Sequence, residues 1–278
     1  MATGPRLATF MNWLVLDGLA EPPEGWLAAI REAGYDGVQF IEPRDPELTQ
    51  EALTEGLRIC GSGRVNQVAD AGRLAQDAAA VGLECLTLHL GWGIEDDDEA
   101  FRLIESVLEA SVRHDVRMFV ETHRATLFQD IWRSVQFVRR FPELRFNGDF
   151  SHWYTGLELP YGDFEAKLAF AAPVLDRVDF MHGRIGDPGA IQVDLGSFED
   201  ALDQPFVAHF RQIWATVFRS FFARHGADRP FPFAPELLSS RIFYARTIQG
   251  SEYSDRWAQS HLLVQLAERA LADAMPMS

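Results

Sequence analysis

A chain of 278 residues with 41 acidic against 25 basic side chains, formally −16, repels phosphate backbones and anionic membrane surfaces, so neither a nucleic acid nor a membrane is expected as partner. Lys167 is the single lysine and falls in a predicted helix, which leaves amine-nucleophile chemistry one poor candidate. No apolar run approaches the roughly 18 residues of a membrane span, MATGPRLATF lacks the apolar stretch of a secretory signal, and Cys60 and Cys85 stand apart from any Cys/His cluster. Together these predict a cytoplasmic protein with reduced thiols.

In chain order, short β-like runs alternate with longer amphipathic ones. LATFMNWLV predicts a first strand and GWLAAIREAG a helix stopped by Gly34. DGVQFIEP is the second strand, followed by a helix near 49–56. LRICGSGRV is the third, and QVADAGRLAQDAAAVG a helix closed by Gly82. CLTLHLGWG is the fourth, and the carboxylates opening DDDEAFRLIESVLEASVRHD favour a helix N-terminus. RMFVETH is the fifth strand, with a helix near 129–141. LRFNGDFSHW is the sixth, with a helix near 164–171. VDFMHGRIGD is the seventh. A long irregular segment, roughly 185–204, precedes the helix FVAHFRQIWATVFRSFFARHG, and FPFAPELL predicts the eighth strand before a last helix near 254–274.

Eight β-then-α units with no linker between them predict a single domain over residues 1–278, of α/β class, its parallel sheet closed as a (β/α)8 barrel. A doubly wound open sheet competes, but it needs a Gly-rich phosphate turn after the first strand, where this chain has LDGLAEPPEG.

Barrels place their chemistry at the C-terminal ends of the strands. There the sequence offers Glu42, then His89, then Glu121, His123 and Arg124, then Asp149 and His152, then His182 and Arg184, and last Glu236. Burying so many ionisable groups is costly unless they are paired or hold a cation. Glu121, Asp149, His182 and Glu236 form the narrower set, one per strand on strands five to eight, with gaps of 28, 33 and 54 residues. Three carboxylates and an imidazole make a hard, mostly oxygen site for one divalent metal ion: Mn²⁺, Mg²⁺, Co²⁺ or Fe²⁺, with Zn²⁺ also compatible. Each residue alone has a plainer use: Asp149 as a cap after Asn-Gly, Glu236 as a helix start, His182 as a satisfied core histidine. Trp13, Phe40, Trp92 and Trp153 fall near strand ends, suited to stacking on a sugar or to packing the barrel mouth. Arg124 and Arg184 suit clamping a carboxylate or phosphate, or neutralising the acidic set. The segment after strand seven has the length of a lid or of a homo-oligomer contact.

The ordered pattern of Glu121, Asp149-Phe-Ser-His152, His182 and Glu236 resembles the xylose-isomerase-like TIM barrel superfamily, which holds sugar phosphate isomerases and epimerases and endonuclease IV. The resemblance covers the whole chain as an architecture. It implies that Glu121, Asp149, His182 and Glu236 bind one divalent metal ion, Mn²⁺ first among the candidates. It also implies that His152 contacts substrate, and that Glu121 and Glu236 act as acid and base. The reaction implied is isomerisation or epimerisation of a keto-sugar or related polyol, by proton abstraction next to a carbonyl through an enediolate. His89, His123, Arg124, Arg184, Trp13 and Glu42 are then candidate substrate contacts.

The chain also departs from the superfamily. Strand three ends GSGRV, and QVDLGS offers Asp194 without a histidine two residues on, so a three-zinc DNA-repair site is not expected. Xylose isomerase proper uses an active-site lysine, which is missing here. Ketose 3-epimerases carry Glu where Leu127 stands and Arg where Pro188 stands. A lyase that dehydrates or β-eliminates an oxidised sugar or glycoside, with His123 as acid, is therefore the alternative. A non-catalytic sugar-binding barrel is a rival from another class, but it has no need of two metal-bound glutamates.

Overall fold

A computed structural model, which describes residues 4–41 and 46–275, closes eight parallel strands into a barrel in sequence order. The strands are β1 (Leu7–Asn12), β2 (Gly37–Ile41), β3 (Arg58–Val65), β4 (Cys85–Leu90), β5 (Arg117–Glu121), β6 (Phe146–Asn147), β7 (Val178–Gly183) and β8 (Phe231–Pro235). β8 returns to β1 with Leu7 opposite Phe231 and Thr9 opposite Phe233, which completes the ring. The helices are α1 (Trp26–Glu32), α2 (Pro46–Thr54), α3 (Val68–Val81), α4 (Asp97–His114), α5 (Ile131–Arg140), α6 (Phe150–Gly156), α7 (Phe164–Leu175), α8 (Phe198–Leu202), α9 (Pro205–His225) and α10 (Arg256–Ala274). Glu42, a candidate substrate contact, lies outside the described residues.

Strand periodicity sorts the side chains. One set points outward and packs with the helices into the main apolar core. The other points inward, and its lowest layer is a separate small cluster of Ala8, Phe10, Cys60, Cys85, Phe119, Phe180 and Ala234. Burying a large apolar side chain stabilises by about 1.5–3 kcal/mol, so this plug fixes the strands from within. Two residues further along each strand the inward positions turn polar: Asn12, Gln39, Thr87, Glu121, His182 and Glu236, all buried. The apolar plug is thus the floor on which a polar layer is built.

Local chemistry sets several ends. Asp96 caps α4 and Glu99 reaches back to complete the capping box. Gly82 closes α3 in the left-handed region, at φ 70°. At Gly183 a Cβ would fall 2.1 Å from Phe233 Cζ, so only glycine lets β7 and β8 approach there.

Two strands are shorter than the sequence predicts. The first stops at Asn12, whose side chain accepts from the Leu14 amide at 3.0 Å and starts a 3-10 turn over Trp13–Leu16. The sixth is two residues long, and His152 and Trp153, expected on it, belong to α6. Asp149 ends that strand by capping α6 through the Ser151 amide. α7 runs on to Leu175, past the expected end, with Pro173 inside it. The segment after β7 is packed down: Ile185, Ile191 and Leu195 are buried, and the Gln192 amide grips both the N–H and the C=O of Leu238. Among the described residues no helix is long and apolar enough to cross a membrane.

Candidate metal centre

Adjacent strands bring together what the sequence spreads over more than a hundred residues. Glu121 ends β5, Asp149 follows β6, His182 lies on β7 and Glu236 follows β8. All four are buried, and one ligand atom from each lies within 4.8 Å of those from the others. The anchoring is specific. Gln39 Oε1 receives the Nε2–H of His182 at 2.9 Å and an Asn12 amide N–H at 3.0 Å. The second Asn12 N–H reaches Glu236 Oε1 at 3.2 Å. Asn147 spans β5 and β7, donating to Glu121 Oε2 at 3.2 Å and accepting from the His182 amide at 2.9 Å.

With Nε2 committed to Gln39, His182 turns Nδ1 toward Glu121 Oε2 and Glu236 Oε1, 3.4 Å from each. His182 Nδ1 and Glu121 Oε1 are buried without a hydrogen-bond partner among the described residues. Left so, each is costly. A second residue fixing the far nitrogen of a ligating imidazole is the usual arrangement around bound metals. Two orphaned donor atoms inside a set of three carboxylates and one imidazole fit a hard divalent ion, and Glu121, Asp149, His182 and Glu236 would hold it.

One positive charge is already built in. Arg184, two residues past His182, is fully buried. Its Nη2 pairs with Asp149 and lies 3.1 Å from Glu236 Oε2 and 2.8 Å from His152 Nε2, while Nε donates to Ser151 at 3.0 Å. The guanidinium therefore neutralises the acidic set from behind. The electrostatics follow. Burial pushes the Glu121 carboxyl up, but the imidazoles of His182 and His89 more than offset this and hold it well below the usual range. Burial raises Glu236, against the pull of His182 and Arg184. At His182, burial lowers the imidazole, yet Glu236, Glu121 and Asp149 outweigh it and raise it to about 9, so without a cation the ring takes a proton.

Above the cluster opens a cavity of about 300 Å³. Glu121, His182 and Glu236 form its floor, and His89 and His123 stand on its wall. His89 Nε2 lies 3.3 Å from Glu121 Oε2. The rings of His89, His123 and His152 form a row with centroids 4.0 and 3.7 Å apart, so His152 reaches the site from behind His123 and does not line the cavity. Burial and the neighbouring His152 depress His123 to about 2, which keeps the free ring neutral.

The remaining candidates sit further out. Arg124 is exposed at the rim over the ring of Tyr244. Trp13 packs on Phe40 at 5.2 Å, and its neighbour Leu14 lines the cavity instead. Trp153 is in the core, its indole N–H on the Phe128 carbonyl. Leu127 is likewise core. Sequence reasoning missed Asn12, Gln39, Asn147, Ser151, Arg64 and Tyr244. The signal for the first two was a polar residue at an inward position of an otherwise apolar strand.

No protein-family model and no curated protein sequence matches the chain. Solved structures do. An L-ribulose 3-epimerase superposes with TM-score 0.59 at 15% identity, covering 99% of both chains. A xylose isomerase domain protein from Planctomyces limnophilus gives TM-score 0.59 at 16% identity, over 97% of this chain and 99% of that one. A probable 3-DHS dehydratase from Bacillus anthracis gives 0.58 at 11%, over 98% and 100%. Identities this low speak for architecture: the chain has the (β/α)8 barrel fold of xylose-isomerase-like proteins.

Proposed function

We propose that the protein is a divalent-metal-dependent isomerase or epimerase of a keto-sugar or related polyol. The observation that carries this reading is the placement of Glu121 and Glu236. They enter one cavity from strands on different sides of the barrel, with His182 between them, while Asp149 stands back from it. When bound, the cation would polarise a carbonyl and a neighbouring hydroxyl oxygen, acidifying the C–H beside them. Glu236, oriented by Asn12 and Arg184, takes that proton. Glu121, oriented by Asn147 and facing the same cavity, can return one to the other face for epimerisation. Return to the neighbouring carbon gives aldose–ketose isomerisation. His89 and His123 hold substrate hydroxyls along the wall. The likeness to an epimerase and to a xylose isomerase domain protein supports the reading.

Elimination from the same enediolate is the second reading, supported by the likeness to a probable dehydratase and by Leu127 lying in the core. Incubation of candidate ketoses with the Mn²⁺-loaded protein in D₂O separates the two. Deuterium in the recovered sugar supports isomerisation or epimerisation, and an unsaturated product supports elimination. A purified protein with no divalent ion, and no thermal shift with Mn²⁺ or Co²⁺, sinks both.

A further inference from the structure

Arg64 lies near the C-terminal end of β3, at the next inward position after Ser62, and lines the cavity above the cluster. Its guanidinium is held in place. Nη1 donates to the Gly91 carbonyl at 2.9 Å, Nη2 lies 3.4 Å from His89 Nδ1, and the group stacks 4.1 Å from the Trp92 ring centre. A guanidinium carries five N–H donors, so these bonds leave several unused. Among the described residues no carboxylate lies within 4 Å of it. The acids on the cavity floor do not need this charge, because Arg184 already opposes Asp149 and Glu236, and a divalent ion would balance the rest. His89 in turn lies 3.3 Å from Glu121, so a single imidazole separates the free fork from the cluster. Glu121 and Glu95 act on this charge only from beyond salt-bridge distance, and a fixed, half-buried cation with no carboxylate paired to it, one ring away from the cluster, suits a small anion.

On the reading of the cluster given above, we propose that Arg64 anchors a substrate carboxylate, and that the substrate is a short keto acid of the sugar-acid class, its carbonyl end over Glu121 and Glu236. A phosphate fits less well. Barrels cradle phosphate on the loops after strands seven and eight, whereas Arg64 projects from β3 on the opposite wall and offers one fork.

Calorimetric titration with D-fructuronate, D-fructose and D-fructose 6-phosphate, with and without Co²⁺, tests this, because the three ligands differ only at C6. Fructuronate is expected to bind about tenfold or more tighter than fructose, and tighter than the phosphate. Arg64→Gln should abolish that preference by weakening fructuronate alone, and Arg64→Lys should restore part of it. The Co²⁺-induced thermal shift of both variants should match that of the unaltered protein, which shows the barrel and cluster intact. Equal or undetectable binding of fructuronate, a preference for the phosphate, or a preference that survives in Arg64→Gln overturns the anchor. Failure of Co²⁺ to bind overturns the metal-dependent reading instead. The C6 preference is read in both metal states and decides the role of Arg64 either way.

Discussion

Gln39 and His182, 143 residues apart, meet inside the barrel with Oε1 2.9 Å from Nε2. The Gln39 amide cannot turn over freely, because its nitrogen donates to Thr87 at 3.1 Å while its oxygen also accepts from Asn12. The imidazole is therefore held with Nε2 protonated and Nδ1 aimed at the two glutamates. Gln39→Leu keeps the bulk and removes that restraint. Its affinity for Co²⁺ should fall about 10–100-fold, as found for residues that orient metal ligands. Titration of metal-free protein followed by Co²⁺ absorption checks it. An unchanged affinity would mean that the ring is oriented by something else.

Arg184 stabilises the metal-free barrel by opposing Asp149 and Glu236, and removing one partner of a buried ion pair leaves the other uncompensated. Arg184→Gln should cost about 3–5 kcal/mol in metal-free protein. The same change removes a cation from beside the candidate ligands, so the stability gained on adding Co²⁺ should exceed that of the unaltered protein. Urea unfolding with and without Co²⁺ measures both effects. A variant as stable as the parent when metal-free would contradict the charge balance described here.

The barrel and its four clustered residues were legible in the sequence because both follow from period. Eight βα repeats set the topology, and one ionisable residue at each of four successive strand ends places Glu121, Asp149, His182 and Glu236 on neighbouring strands. The supporting residues were not legible, since their partners are fixed only by closure. Asn12 reaches Glu236 across 224 residues, and nothing near Asn12 in sequence announces it. The strand expected over LRFNGDFSHW includes His152, although the Asn-Gly within it is a turn signal. The Asp149 cap, a competition between side chain and backbone over two residues, breaks that run into β6 and α6. Arg184 suits a clamp or a counter-ion by sequence; in the fold its Nη2 meets Asp149 and Glu236 as a counter-ion would, while Nη1 is buried without a partner among the described residues.

Glu236 borders the cavity with one oxygen on Asn12 and the other near Arg184, so its side chain is positioned before any substrate arrives. Glu236→Gln preserves shape and removes the proton acceptor. Proton exchange into a turned-over ketose in D₂O should fall about 100-fold or more, while urea unfolding of the metal-free variant shows the barrel retained. Exchange at the parental rate would assign the base to another residue, with Glu121 the first to examine.

Gly183 separates the candidate ligand His182 from Arg184 and lies where β7 approaches β8 too closely for any side chain. A Cβ there would meet Phe233 Cζ at 2.1 Å, inside the core and beside the hydrogen bond from the Glu236 amide to the Gly183 carbonyl at 3.0 Å. Gly183→Ala should therefore destabilise by about 1–3 kcal/mol as the ring or the strand gives way. Shifting either strand also moves His182 relative to Glu236, so Co²⁺ affinity should fall together with stability. Phe233→Leu shortens the obstructing side chain. The double variant should lose less stability than the two single changes added together, because the residues are in contact. Additive losses would show that the two strands yield independently and that the close approach does not hold the ligands in register.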